Sequence, residues 1–430
     1  MSKVDLTEIS RIHFIGIGGI GMSALARFFL HEKKQVSGSD RAPSAITEAL
    51  ESEGATIFTE QVAGNISRDI ELVVYTEAMS QDHEEMVVAR ALGVPIMNYF
   101  EALGLVANPY FLIAVAGTHG KTTTTAMLTD IFEAAGKDPT TIVGSLRAKT
   151  KSNFRAGKSK YAIVEACEYK RDFLSLHPDI LVITNVEFEH VDYYKDLADV
   201  QSAFRELALK MNDEGVVVCN TKDPALAPII EGLPRVIDYT EFVDMKLKLK
   251  QPGFHNRLNA AAALAVARRE KIETDVARNA LIDFAGTWRR FEYKGEFQGV
   301  PVYDDYAHHP TEIRATIDSA RELYPDKDVT IVFEPHTYSR TGSLFQDFAK
   351  VFGEADRVLL LPIYAAREDN PDGISSRELA VKSLEYNKNV LYVPTYEDAT
   401  ETLKDATKES DVIVVLGAGN ITKLAAELVK

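Results

Sequence analysis

The sequence predicts an α/β protein of three units in series, each with a mostly parallel sheet and helices on both faces. Three observations carry this. Short apolar strand candidates alternate with helical sequence from one end of the chain to the other. Two of those strands run directly into glycine-rich turns that open helices. A length of 430 residues also suits about three domains of ~150 residues. A second unit opening at Tyr110 and a third near Trp288 put the joins near 107 and 287, giving units 1–106, 107–287 and 288–430.

The first unit opens with a strand at Arg11–Ile15, the turn Gly16-Ile17-Gly18-Gly19-Ile20-Gly21, and helical spacing from Met22 to Leu30. Val36–Asp40, Leu72–Thr76 and Val94–Met97 are further short strands. The second unit begins with the buried-strand run Tyr110–Ala116, a turn at 117–122, and a helix to Ala135. Tyr161–Val164, Ile180–Thr184 and Gly215–Cys219 read as strands, and the Ala-rich Asn256–Arg269 as a helix. In the third unit the strands are Val300–Tyr303, Val329–Phe333, Val358–Leu361, Val390–Val393 and Val412–Leu416.

Composition narrows the function classes. Hydrophobic residues at 46% and charged residues at 26% are ordinary for a globular chain. A net charge of −16 argues against general electrostatic binding of nucleic acid, while leaving room for a local basic pocket. Cys167 and Cys219 could form at most one bridge, so no disulfide scaffold is expected. The start Met-Ser-Lys-Val-Asp lacks a signal pattern, and no apolar run reaches the ~18 residues of a membrane span. The expectation is a cytoplasmic protein with no membrane insertion. Monomer and homodimer both stay open.

Gly16, Gly18 and Gly21 satisfy G-x-G-x-x-G between a strand and a helix, with Asp40 about 20 residues on, a Rossmann-like arrangement. Such a turn brings backbone N–H groups close to a pyrophosphate at a helix N-terminus. The ligand could be NAD or the diphosphate of another nucleotide, and the glycines could also serve only close packing.

Gly117-Thr118-His119-Gly120-Lys121-Thr122-Thr123 is more specific. Backbone amides would wrap the β- and γ-phosphates of a nucleotide, Lys121 would neutralise them, and the Thr122 hydroxyl would reach Mg²⁺. Val115 stands where the usual P-loop has its first glycine, so this is a shorter variant. Glu165 ends one following strand and His190 lies just past another, where α/β sheets bind ligands; both could complete Mg²⁺ sites beside Thr122. Cys167 has no obvious base partner and reads as a small buried residue. Asn256 reads from its spacing as a helix cap, with pairing to an adenine edge as the alternative.

The third unit carries Asp304-Asp305-Tyr306-Ala307-His308-His309-Pro310 and Glu334-Pro335-His336-Thr337-Tyr338-Ser339-Arg340, each at a strand C-terminus. Arg340 could clamp a carboxylate or phosphate in a bidentate manner, and Arg289-Arg290 adds a basic patch.

Together, in order, Gly16-Ile-Gly-Gly-Ile-Gly-Met-Ser, Gly117-Thr-His-Gly-Lys-Thr-Thr-Thr, His255-Asn-Arg-Leu-Asn-Ala, Arg289-Arg-Phe-Glu, Asp304-Asp-Tyr-Ala-His-His-Pro-Thr-Glu and Pro335-His-Thr-Tyr-Ser-Arg-Thr resemble the Mur ligases over nearly the whole chain. The resemblance implies a UDP-sugar-binding Rossmann-like domain, a central P-loop ATPase domain and an amino-acid-binding Rossmann-like domain. It implies that ATP and Mg²⁺ activate the lactyl carboxylate of UDP-N-acetylmuramate as an acyl phosphate, which the amine of L-alanine attacks. It also resolves the first loop in favour of a UDP-sugar diphosphate, held at Gly16, Gly18, Gly19 and Gly21 with Asp40 on the nucleoside.

ATP would be held by residues 117–123, by Asn256 on adenine rather than as a cap, by Asp305 on the ribose, and by Arg290 and His336. Tyr306, His308 and Arg340 would hold L-alanine, and Thr122, Glu165 and His190 would hold Mg²⁺. The catalytic set implied is Lys121, Glu165, His190, His308 and Arg340.

Departures from the family pattern are Cys167-Glu168-Tyr169-Lys170 after Glu165-Ala166, Thr337 where a second arginine is frequent, a short 238–253 stretch, and Asn420 for Asp. The nearest alternative is the family's recycling ligase, which attaches a tripeptide to the same sugar. More distant ones are another amide ligase such as folylpolyglutamate synthetase, an NAD(P) oxidoreductase, and a non-catalytic nucleotide-binding regulator.

Overall fold

A computed structural model describes residues 5–366, 368–370, 372–409 and 411–430. Three sheets follow one another along the chain. β1 (Arg11–Ile15), β2 (Gln35–Ser39), β3 (Thr56–Phe58), β4 (Leu72–Tyr75) and β5 (Ile96–Asn98) form an all-parallel sheet in the order β3-β2-β1-β4-β5. The order reverses beside β1, which is where such sheets open a ligand crevice.

The second sheet holds β6 (Phe111–Ala116), β7 (Thr140–Arg147), β8 (Ser152–Arg155), β9 (Tyr161–Glu165), β10 (Ile180–Ile183), β11 (Val216–Cys219) and β12 (Val236–Asp238). Its order is β12-β11-β10-β6-β9-β7-β8, with only β7 and β8 antiparallel. The third holds β13 (Glu292–Phe297), β14 (Val300–Asp305), β15 (Asp328–Phe333), β16 (Arg357–Leu360), β17 (Val390–Tyr392) and β18 (Asp411–Leu416), ordered β13-β14-β18-β15-β16-β17. There β13 and β14 form the antiparallel pair.

Central parallel strands are buried on both faces and so read as unbroken apolar runs. β6 is the example: Leu112 to Ala116 are all fully buried between β9 and β10. β18 is buried along its whole length between β14 and β15. These were the strands most visible in the sequence.

Five strands were not expected: β3, β7, β8, β12 and β13. Each lies at or beside a sheet edge. The strand expected at Val94–Met97 is Ile96–Asn98, because Pro95 has no N–H to give the ladder and contributes only its carbonyl, which accepts from Val73 N at 2.9 Å. From β12 the chain passes through a short 3₁₀ turn, Tyr239–Phe242, and residues 243–253 hold no strand, so the sheet ends at β12.

The chain packs as two compact units. One holds residues up to Glu187, with Leu197–Val243 and Asn259–Leu281. The other holds Phe188–Asp196, Asp244–Leu258 and Ile282–Lys430. The first unit therefore contains the first two sheets. Helix Ile20–His31 joins them by packing on β7 and β8. Arg27 Nη1 donates to the fully buried Asn153 Oδ1 at 2.6 Å, and Asn153 Nδ2 donates to Ser23 Oγ at 2.9 Å. Among the described residues no helix is long and apolar enough to cross a membrane.

Candidate functional site

The first glycine loop is set by backbone geometry. Gly16 has φ +83°, a conformation that L side chains rarely adopt, and a Cβ there would stand 2.6 Å from Thr76 Cγ2. Gly16 N and Ile17 N donate to Ser39 O at 2.8 and 3.0 Å. Gly18 N donates to Asp40 Oδ2 at 2.8 Å, so the acid singled out by spacing sits at the loop. Gly19 is the N-cap of helix Ile20–His31 without a side-chain cap, and a Cβ on Gly21 would meet the Tyr99 ring. The positive end of the helix dipole is thus presented at a backbone-lined turn, the arrangement that suits a diphosphate.

A residue missed by sequence reasoning underlies this loop. Glu85 is fully buried and accepts from Ser39 Oγ and Asn65 Nδ2, both at 2.7 Å. Burial works against its charge, and hydrogen bonds from His13, Ser39 and Asn65 together hold its pKa below the ordinary value. Glu84-Glu85 at a helix start gave no signal beyond a favourable helix dipole.

The second loop joins β6 to helix Lys121–Ala134. Gly117 and Gly120 have φ +130° and +83°; a Cβ on the first would collide with Thr184 Oγ1 and on the second with Asn259 Oδ1. The loop is pinned from β10 by Thr118 N to Asn185 O at 3.0 Å, His119 N to Asn185 Oδ1 at 2.9 Å and Glu187 N to Thr118 Oγ1 at 2.8 Å. His119 Nε2 lies 3.6 Å from Glu187 Oε2.

Lys121 Nζ donates to Thr118 O at 3.0 Å and pairs with Glu168 at 2.9 Å. Burial lowers the lysine pKa, but Glu168, Cys167 and Glu165 outweigh it and the net shift is upward, so the ammonium is charged. Thr122 Oγ1 donates to Glu165 Oε2 at 2.9 Å, and the same oxygen accepts from Gly144 N at 2.9 Å. Thr123 is buried in the helix. The structure thus brings Lys121, Thr122 and Glu165 together, with Glu168 added. Cys167 is partly rather than fully buried; burial first and Glu168 second push its thiol up to about 12, so it is no thiolate nucleophile.

The second unit assembles the remaining residues. Asn256 is the third residue of helix Phe254–Arg269 and its amide donates to Pro252 O at 2.8 Å, so the capping role its spacing suggested is not what it does. Both Asp305 oxygens accept main-chain N–H bonds, from Ala307 and Phe291 at 2.8 Å, and burial raises its pKa to about 6. Arg290 stacks its guanidinium 5.2 Å from the Tyr306 ring centroid and lies 3.8 Å from Glu312. Arg289 is structural: it is buried, donates to Gly419 O at 3.1 Å and faces Asp304 at 3.6 Å.

His308 and His336 have ring centroids 6.3 Å apart, and burial lowers the pKa of each to about 4. Both are neutral at pH 7. Tyr306 packs edge-on to His308 at 5.3 Å.

Arg340 rides on the short helix Tyr338–Ser343, whose N-cap is Thr337. Its Nη1 lies 3.3 Å from His336 Nδ1, and Nε and Nη2 each lie 2.9 Å from Glu189 Oε1. Burial works against the Glu189 carboxylate, but Arg340, then His308, His309 and His190, hold its pKa down to about 2. Thr337, which replaces the second arginine of the pattern, caps the helix through its hydroxyl at φ +68°. His190, with φ +55°, belongs to this unit, in the loop Phe188–Asp196.

Comparison with known proteins matches this geometry to one family. Residues 11–111 match the "Mur ligase family, catalytic domain", 115–241 the "Mur ligase middle domain" and 289–419 the "Mur ligase, glutamate ligase domain". The chain is 40% identical to the UDP-N-acetylmuramate–L-alanine ligase of Agathobacter rectalis, over 100% of both chains. It is also 40% identical to that of Caldanaerobacter subterraneus, over 100% of this chain and 99% of the relative. Its fold is similar to the UDP-N-acetylmuramate–alanine ligase MurC of Thermotoga maritima, with TM-score 0.82, 28% identity, and 97% and 98% of the two chains covered. The murein peptide ligase of Psychrobacter arcticus shares the fold with TM-score 0.72, 24% identity, and 97% and 98% coverage. With two phosphate-type glycine loops, the Lys121-Thr122-Glu165 cluster and these full-length matches, the chain belongs to the Mur ligase family.

Proposed function

We propose that the chain is an ATP-dependent ligase that joins L-alanine to the lactyl carboxylate of UDP-N-acetylmuramate in peptidoglycan precursor synthesis. The observation that carries this is the Lys121–Thr122–Glu165 arrangement at a helix N-terminus, in a chain 40% identical end to end to ligases of that name. Residues 1–106 would bind the UDP sugar, 107–287 ATP and 288–430 the amino acid; the three matched segments support this division.

The chemistry follows from charge. A carboxylate and an amine do not condense in water at useful rates, so the carboxylate is first phosphorylated by ATP. That step brings two anions together, and catalysis is mainly neutralisation and positioning. Lys121 opposes the phosphate charge. The backbone of 117–120 cradles the phosphates, with Asn256, Arg290, Asp305 and His336 about the nucleoside and phosphates. The alanine amine then attacks the acyl carbon, the tetrahedral intermediate collapses, and phosphate leaves.

Tyr306, His308 and Arg340 orient the alanine, Arg340 through its carboxylate. His308 is neutral at pH 7, so it adds no cationic charge beside Arg340. Mg²⁺ suits the oxygens of Thr122 and Glu165, which lie 2.9 Å apart, with His190 as a further ligand. Bound there, the ion would neutralise charge on the transferring phosphoryl group. The compartment would be the cytoplasm, where ATP is made available. Phosphate release that requires ATP, UDP-N-acetylmuramate and L-alanine together tests the proposal; release without the sugar would contradict it.

The second reading is the recycling ligase of the same family, which shares most of these motifs. The 40% identity to alanine ligases weighs against it.

A further inference from the structure

We infer that Glu189 is a built-in occupant of the amino-acid carboxylate site, holding the Arg340 guanidinium until the alanine carboxylate displaces it. This rests on the reading above that Arg340 binds that carboxylate. Three features of the second unit carry it.

The first is which edge of the guanidinium is taken. Arg340 Nε and Nη2 both point at Glu189 Oε1, each at 2.9 Å, while Nη1 is turned to His336 Nδ1 and His336 O, each at 3.3 Å. The Nε/Nη2 edge is one that receives carboxylates side-on. Glu189 therefore sits where an incoming carboxylate would dock, with the same charge, its Oε1 accepting from both nitrogens of that edge.

The second is burial. The two side chains are 12% and 8% exposed, so this is not a solvent-screened surface pair. A ligand carboxylate cannot reach that edge without replacing Glu189, and moving Glu189 away with nothing in its place would leave a buried guanidinium uncompensated. Exchange of one carboxylate for another avoids that cost.

The third is the difference in mounting. Arg340 is carried on a helix capped by Thr337 and braced by His336, whose ring stacks on Tyr364 at 5.6 Å. Glu189 is carried on the irregular loop Phe188–Asp196, next to His190 at φ +55°. The arginine is thus held by a helix and the glutamate by a stretch with no regular secondary structure, where its Oε1 also accepts from His190 N at 3.3 Å.

An internal competitor raises the apparent dissociation constant in inverse proportion to the fraction of Arg340 it leaves free. Glu189 thus sets the alanine concentration at which the site fills.

The test is phenylglyoxal labelling of Arg340 in the full-length enzyme, read by peptide mass spectrometry, with and without L-alanine. Wild type, Glu189→Gln and Glu189→Asp are compared, and thermal denaturation checks folding. Asp keeps the charge but falls short, and it serves if the Gln variant does not fold. The expected result is Arg340 labelling at least about threefold faster in Glu189→Gln, with L-alanine protecting at a correspondingly lower concentration than in wild type. Equal labelling rates, or protection at the same concentration, would overturn the inference and leave Arg340 as the alanine ligand. If L-alanine protects neither protein, the Arg340 reading itself fails and the inference falls with it.

Discussion

Lys121 Nζ lies 2.9 Å from Glu168 Oε2, with side chains 12% and 2% exposed. The cation of the phosphate loop is thus matched by one of the chain's own carboxylates, and the upward shift of the lysine pKa follows from that neighbour outweighing burial. A phosphate arriving at Lys121 meets an ammonium already desolvated and oriented, which is what transition-state neutralisation needs.

Lys121→Ala is expected to lower the turnover of ATP by about 10³-fold or more, since one preorganised charge is worth roughly 4 kcal/mol in such a site. Phosphate release in a steady-state assay measures it, with far-UV circular dichroism to establish folding. A folded variant with wild-type turnover would remove Lys121 from the phosphate site.

Thr337 is β-branched at φ +68° and ψ 145°, a region that favours glycine, yet its hydroxyl caps the helix carrying Arg340. Strain of ~1–3 kcal/mol and a cap worth ~1 kcal/mol oppose each other here. Thr337→Val keeps the strain and loses the cap, so it is expected to lose about 1 kcal/mol; Thr337→Gly relieves the strain and should be at least as stable as wild type. Urea denaturation ranks the three, and a Val variant as stable as the Gly variant would contradict this account.

Asp305 is 8% exposed, and burial raises its pKa from 3.8 to about 6. The folded state therefore holds this proton more tightly than the unfolded state. Its contribution to stability is full below about pH 4 and is lost as pH rises through about 6. Asp305→Asn does not titrate, so its stability relative to wild type is expected to improve by about 2–3 kcal/mol between pH 4 and pH 7. Parallel stability profiles in denaturant at those two pH values would show that Asp305 is not shifted.

Much of this was legible because it is local. The run Phe-Leu-Ile-Ala-Val-Ala before Gly117 announces a central parallel strand, and the glycines announce positive φ where the chain must turn. Edge elements were not legible. β13 reads Glu-Tyr-Lys-Gly-Glu-Phe, where edge charges and a bulge hide the strand pattern. β7 pairs with β8 through an irregular register. Glu189 could not be singled out from the sequence, because its partner Arg340 is 151 residues away along the chain. The role of Thr337 needed its backbone angle, and that of Glu85 needed the fold of β2 beneath the first loop.

The central claim is the identity of the acceptor amine. The direct measurement is mass-spectrometric detection of the amide product from ATP and UDP-N-acetylmuramate, offered L-alanine in one reaction and the L-alanyl-γ-D-glutamyl-meso-diaminopimelate tripeptide in another. The account predicts product with L-alanine and none with the tripeptide; product with the tripeptide alone would contradict it and make the chain a recycling ligase.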